Sequence, residues 1–209
     1  MNVGVLALQG DVPEHLHALA RLGGRHSAIP VRSPADLARV DALFLPGGES
    51  TTIARLLQAS GLWFPLADRL DRGLPTLATC AGFIVLARRL EASPTGPNPP
   101  TLGRLDVRLR RNDYGTQRES FEDDVAVEGL EGPPFPGVFI RAPRVLDVGP
   151  KARTIARRGN EVVGVRAGPL WGLTFHPELS HDPRVHELFL ADAERSLASG
   201  GKAGRRRPA

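Results

Sequence analysis

The chain has 209 residues, 41% of them hydrophobic, which is enough apolar material for one sizeable core and a length that favours one domain over two. Its formal charge of +4 equals the four cations of the acid-free tail, Lys202, Arg205, Arg206 and Arg207, so the body over 1–201 is balanced and nucleic-acid binding is not expected. A single cysteine excludes an internal disulfide and a Cys-rich zinc site, and the longest apolar runs fall far short of the ~20 residues of a membrane helix.

The reducing-compartment signature of one thiol, with no signal-peptide pattern after Met1, leads to the expectation of a cytoplasmic protein. One domain is expected over 1–199, followed by a basic, disordered tail over 200–209, because a short Gly/Arg/Pro segment without apolar residues cannot bury enough surface to order itself.

In chain order, Val3–Leu8 reads as a buried strand. Pro13–Leu22 follows as a helix with Leu16, Leu19 and Leu22 on one face, stopped by Gly23 and Gly24. His26–Val31 is a second strand, and Ser33 opens a short helix with Pro34 at its first position. Ala42–Leu45 is a third strand ending in Pro46-Gly47-Gly48, followed by a helix over Thr51–Ala59 with Ile53, Leu56 and Leu57 turned inward. A helix over Pro65–Arg72 leads to a strand at Leu74–Thr79 and a helix over Ala81–Leu90. This βα-repeating order predicts a mostly parallel sheet with helices on both faces.

The segment EASPTGPNPPT, from Glu91 to Thr101, holds four prolines and is expected to be a surface loop. Beyond it come short strand-like runs at Leu105–Arg110, Val125–Val127, Val138–Ile140, Thr154–Ala156, Glu161–Val165 and Leu170–Thr174, a half expected to be more antiparallel. A final helix over Pro183–Ser199 presents Val185, Leu188, Phe189 and Ala193 on its apolar side.

Cys80 lies between a strand pattern and a helix pattern, flanked by small residues in Ala78-Thr79-Cys80-Ala81-Gly82. This is the layout of a nucleophile elbow, where the chain reverses too sharply for large neighbours. The following helix N-terminus would favour a thiolate, although a lone cysteine is as commonly a buried inert one. A thiol needs a base, and His176 in His-Pro-Glu stands two residues from Glu178, so in an extended segment both side chains point to the same side. The carboxylate would then fix the imidazole tautomer and stabilise its protonated form. His15, His17, His181 and His186 are expected on solvated surfaces, and no spacing suggests a metal site. The Pro46-Gly47-Gly48-Glu49-Ser50 turn can bring backbone N–H groups close to a carbonyl, with the amides of Gly48 and Ala81 as the oxyanion donors. No phosphate-binding glycine motif is present, so no nucleotide is expected.

Together, Ala7-Leu8-Gln9-Gly10, Leu45-Pro46-Gly47-Gly48-Glu49-Ser50-Thr51-Thr52, Thr79-Cys80-Ala81-Gly82, Arg111-Asn112, Ser120-Phe121-Glu122, Phe139-Ile140-Arg141-Ala142-Pro143 and Phe175-His176-Pro177-Glu178-Leu179 resemble class I glutamine amidotransferases. The Leu-Gln-Gly, Gly-Gly-Glu-Ser-Thr-Thr and Phe-Ile-Arg-Ala-Pro segments resemble, within that class, the glutaminase subunit of pyridoxal 5′-phosphate synthase. The resemblance runs in order from Val3 to about Ala191.

It implies an α/β three-layer sandwich with a mostly parallel, flavodoxin-like central sheet and an antiparallel extension. It also implies a triad of Cys80, His176 and Glu178, with glutamine held by Gly48, Glu49, Ser50, Arg111, Ile140 and Arg141. No cofactor is implied. The partner implied is the synthase subunit, in a large heteromeric complex that receives the ammonia, with Gln9 as the candidate residue coupling docking to the oxyanion hole. At the level of class alone, the glutaminase subunit of imidazole glycerol phosphate synthase fits as well. The chain departs from the pattern at Ala78, usually glycine, and at Thr116, often arginine. A catalytically inactive docking protein is the reading those two departures would support.

Overall fold

The computed structural model describes residues 1–92, 96–111, 113 and 120–203, with backbone only from 200 onward. Asn112, Thr116 and the tail from 204 lie outside the described residues.

The first half alternates strands and helices as expected: β1 (Asn2–Leu6), α1 (Val12–Ala20), β2 (Ser27–Val31), α2 (Pro34–Ala38), β3 (Ala42–Leu45), α3 (Ser50–Ala59), α4 (Trp63–Asp71), β4 (Thr76–Thr79) and α5 (Ala81–Leu86). Ser33 caps α2 through a reciprocal pair in which its hydroxyl accepts from Asp36 N and the Asp36 carboxylate accepts from Ser33 N. Caps of this kind stabilise a helix by about 1 kcal/mol, which matters for a helix of five residues.

The helix expected over Ala81–Leu90 ends at Leu86, and Ala87–Leu90 forms strand β5 instead. The reason is tertiary. The carbonyls of Val85 and Leu86 are taken by the amides of Leu102 and Arg104, and Ala87–Leu90 then pairs in parallel with β6 (Leu105–Arg110), overriding the helical propensity of Ala-Arg-Arg-Leu. The remaining strands are β7 (Phe121–Val127), β8 (Phe135–Phe139), β9 (Arg144–Val148), β10 (Arg153–Arg158), β11 (Glu161–Ala167) and β12 (Leu170–Leu173). A 3-10 turn at Pro177–Leu179 precedes α6 (Arg184–Ala203), whose backbone runs past the domain end expected at Ser199. Strand β9 was not expected from the sequence.

Among the described residues, nine strands form the main sheet in the order β2-β1-β3-β4-β12-β11-β10-β7-β8, and β5-β6-β9 form a smaller one. The strands from β2 through β12 pair in parallel, and those from β12 outward to β8 are antiparallel. The run expected within the antiparallel half as Leu170–Thr174 is thus the junction strand: β12 is antiparallel to β11 and parallel to β4.

Alternate residues of the central strands feed two cores, as the period-two geometry of a strand requires. Leu43, Leu45 and Ala78 pack under α2, α3, α4 and α5, while Ala42, Phe44 and Leu77 pack under α1 and α6. The result is the helix–sheet–helix sandwich the sequence predicts. The methyl of Ala78 is fully buried in the first of these cores, so the added carbon is accommodated.

Candidate active site

In a parallel sheet the carboxyl ends of the strands form the natural crevice, and here β1, β3, β4 and β12 deliver, respectively, Gln9–Asp11, Gly47–Ser50, Cys80 and His176 to it. A cavity of about 280 Å³ is lined there by Gln9, Asp11, Gly48, Glu49, Ser50, Cys80, Ala81, Ile84, Arg111, Ile140, Arg141 and His176. The structure therefore brings nearly every residue singled out in the sequence to one cavity. Glu178 stands behind His176 instead of in the wall.

Cys80 occupies the elbow between β4 and α5 with φ 46° and ψ −103°, a conformation that L-residues rarely adopt. Its amide donates to the Leu173 carbonyl at 2.9 Å and its carbonyl accepts from Ile84 N at 3.1 Å, which pins the turn from both sides. Two residues on, a Cβ at Gly82 would stand 2.1 Å from the Leu45 carbonyl oxygen, so only glycine allows α5 to approach β3 this closely. Cys80 is 6% exposed, and its thiol donates weakly to the Ile140 carbonyl at 3.8 Å.

His176 directs Nδ1 at Glu178 Oε1, 2.8 Å away. The pairing predicted from the sequence is present, but its geometry is a tight turn: His176 stands directly before the Pro177–Leu179 3-10 turn. The His176 amide donates to Val138 O at 2.8 Å, fastening this turn to β8 and bringing Ile140 and Arg141 to the cavity. Nε2 is buried without a hydrogen-bond partner among the described residues, on the ring edge opposite Glu178.

Burial opposes ionisation of Glu178, but the imidazoles of His15 and His176 and the His176 hydrogen bond more than offset it and hold its pKa at about 2. Burial likewise works against a charged His176. The Glu178 carboxylate, joined by the Asp11 and Cys80 side chains beside the ring, nonetheless holds its pKa well above the ordinary histidine value. The pair is thus built to carry an imidazolium.

Asp11 was missed in the sequence. It stands at the N-cap of α1, where an aspartate usually accepts from the first helical amides, yet its side chain makes no cap bond. Its Oδ2 lies 3.2 Å from His176 Nδ1. The foregone cap was the one signal available, and it shows only in three dimensions. Asp11, His176 and Glu178 place one ligand-type atom each within 4.8 Å of one another, a grouping accounted for by these contacts.

Glu49 caps α3, accepting from Thr51 N and Thr52 N, and its carboxylate stands 3.7 Å from Arg111 Nη2. Burial raises its pKa, but these bonds, the Thr52 hydroxyl foremost, leave it below the usual glutamate value. The Arg111 Nε is buried with no partner among the described residues, a donor available to an anionic ligand. Gln9 Oε1 accepts from Glu49 N at 2.8 Å, so it holds the turn that carries Gly48 (φ 146°).

His15 and His186, expected on solvated surfaces, are both fully buried. His15 lies on the inward face of α1 with Ala18 and Leu19, and His186 on the inward face of α6 beside Val185 and Phe189. His17 and His181 are exposed, as expected.

A thiol at a strand–helix elbow, sharing a cavity with the imidazole of a histidine–carboxylate pair on an α/β sheet, is the arrangement of a cysteine-nucleophile acyl-transfer site. The chain belongs to the SNO glutamine amidotransferase family, whose model matches residues 5–195. It is 51% identical over 187 residues to the pyridoxal 5′-phosphate synthase subunit PdxT of Streptomyces coelicolor, covering 90% of this chain and 91% of that protein. It is 48% identical over 195 residues to the PdxT subunit of Acidothermus cellulolyticus, covering 91% and 92%. A solved structure described as a glutamine amidotransferase superposes with a TM-score of 0.83 at 45% identity, covering 92% of this chain and 98% of the other.

Proposed function

We propose that the chain is the glutaminase subunit of a pyridoxal 5′-phosphate synthase, one domain over 1–199 that hydrolyses L-glutamine and hands ammonia to the synthase subunit. The observation that carries the chemistry is Cys80, held at φ 46° on the cavity that His176 enters with Glu178 behind it. The Cys80 thiolate attacks the side-chain carbonyl of glutamine. The amides of Gly48 and Ala81 receive the oxyanion, each such donor lowering the barrier by about 3 kcal/mol. His176, charged through its carboxylate partner, gives a proton to the departing ammonia. It then takes one from water, which releases glutamate from the thioester.

Arg111 and Arg141 supply guanidinium groups for the substrate α-carboxylate. Glu49, Ser50 and the Ile140 carbonyl supply the acid and oxygens that an α-ammonium requires. Ammonia released into neutral water is protonated and ceases to be a nucleophile, so the reaction requires a docked acceptor enzyme. The PdxT relatives favour the pyridoxal phosphate synthase subunit over that of imidazole glycerol phosphate synthase as that acceptor. Gln9, bonded to the Gly48–Glu49 turn, is the residue through which docking would reach the oxyanion hole.

No helix among the described residues is long and apolar enough to cross a membrane. With one buried thiol as the only cysteine, a reducing cytoplasm is the compartment we assign.

The test is glutamate release from glutamine by the purified chain, alone and with the cognate synthase subunit. Release stimulated by that subunit is expected. Stimulation by the imidazole glycerol phosphate synthase partner instead would reassign the acceptor.

A further inference from the structure

At the Glu178 oxygen that His176 contacts, four polar groups form a network in the core between α1, β4 and α6. His15 Nε2 lies 3.3 Å from Thr79 Oγ1 and 3.5 Å from Glu178 Oε1, and Thr79 Oγ1 lies 3.4 Å from the same Oε1. His186 Nε2 stands 3.4 Å from His15 Nδ1. All of these side chains are buried, and Phe44 packs against both imidazole rings.

Donor counting fixes the direction of every bond. An ionised Glu178 only accepts, so Oε1 must receive the Thr79 hydroxyl proton as well as His176 Nδ1–H. Thr79 Oγ1, its proton committed, accepts from His15 Nε2–H. A neutral imidazole has one N–H, so His15 Nδ1 accepts from His186 Nε2–H, and His186 Nδ1 is left buried without a partner among the described residues. Burial pushes both imidazoles toward the neutral form, His186 down to about 3, which is the protonation state this ordering needs. Every hydrogen in the network points toward Glu178.

We propose that His15, oriented by His186 and acting with Thr79, is a positioning residue for the glutaminase reaction: it fixes the Glu178 Oε1 that His176 contacts and thereby the tautomer and aim of His176. The proposal rests on the glutaminase reading above. These contacts all hold Oε1, Oε2 being buried without a partner among the described residues, and a fixed tautomer at Nδ1 is what leaves Nε2 available for proton transfer. If His15 were only a space-filling core residue, an apolar side chain of similar volume would serve as well.

The experiment compares wild type, His15→Leu, His15→Gln and Thr79→Val in complex with the synthase subunit, with kcat expressed per Cys80 titrated by a thiol reagent. Expected for His15→Leu is a fall in kcat of about tenfold or more with KM for glutamine within about twofold, since the group touches no substrate. His15→Gln, which keeps an N–H donor, should recover most of that loss. Thr79→Val, which removes only the hydroxyl, should reproduce the fall and keeps the test decisive if His15→Leu does not fold. An active wild type with Leu and Val variants of unchanged kcat, or a Gln variant no better than Leu, would overturn the proposal. An inactive wild-type complex would instead count against the glutaminase reading itself.

Discussion

Cys80→Ala and Cys80→Gly should each lose glutamine hydrolysis by about 10⁴-fold or more, and the glycine variant should be the more stable of the two. The activity follows from the covalent route: without the sulfur there is no thioester, and only binding and the oxyanion donors remain. The stability follows from the backbone. At φ 46° and ψ −103° a side chain carries strain of about 1–3 kcal/mol, which glycine does not, against about 0.5–1 kcal/mol for glycine's extra freedom when unfolded. Denaturant unfolding of the two variants checks this. An alanine variant more stable by about 1 kcal/mol, as at an ordinary position, would mean that the elbow is unstrained.

Gly47→Ala should lower kcat by about 100-fold while leaving the fold intact. A Cβ at Gly47 would stand 2.3 Å from His176 Cε1, 2.6 Å from Asp11 Oδ2 and 2.9 Å from His176 Nδ1. The imidazole has to move, and a displacement of about 1 Å at a reacting group costs on the order of 10²-fold. Gly47 does not have a positive φ, so alanine suits its backbone and the cost falls on the site. Steady-state glutamate release in the synthase complex, with a thermal melt of the same sample, measures both effects. Wild-type kcat in a folded variant would show that the present position of His176 is not the working one.

Much of the fold was legible because its signals are local. Apolar runs closed by Gly and Pro located the parallel strands, Ser33-Pro34 marked α2, and small residues around Cys80 disclosed the elbow. What was not legible depends on distant partners. Ala87–Leu90 is a strand only because β6 lies beside it, and Arg144–Val148 becomes β9 by pairing with the other edge of β6. The place of β12 beside β4 joins residues about ninety positions apart, and no spacing encodes it.

The site divides in the same way. Cys80, His176 and Glu178 could be singled out because their own neighbours carry the pattern. Asp11 resembles an ordinary helix cap, and His15 and His186 resemble ordinary polar residues on amphipathic helices, so their burial against Glu178 and Phe44 appears only once α1 and α6 are packed on the sheet.

The central claim is that Cys80 attacks the side-chain carbonyl carbon of glutamine. It is tested most directly by incubating the wild-type complex with a glutamine analogue that carries an electrophilic carbon in place of the carboxamide nitrogen, followed by peptide mapping. One equivalent of adduct on Cys80, with activity lost in parallel and protection by glutamine, is the predicted result. Inactivation with Cys80 unmodified, or an adduct on another side chain, would contradict the account.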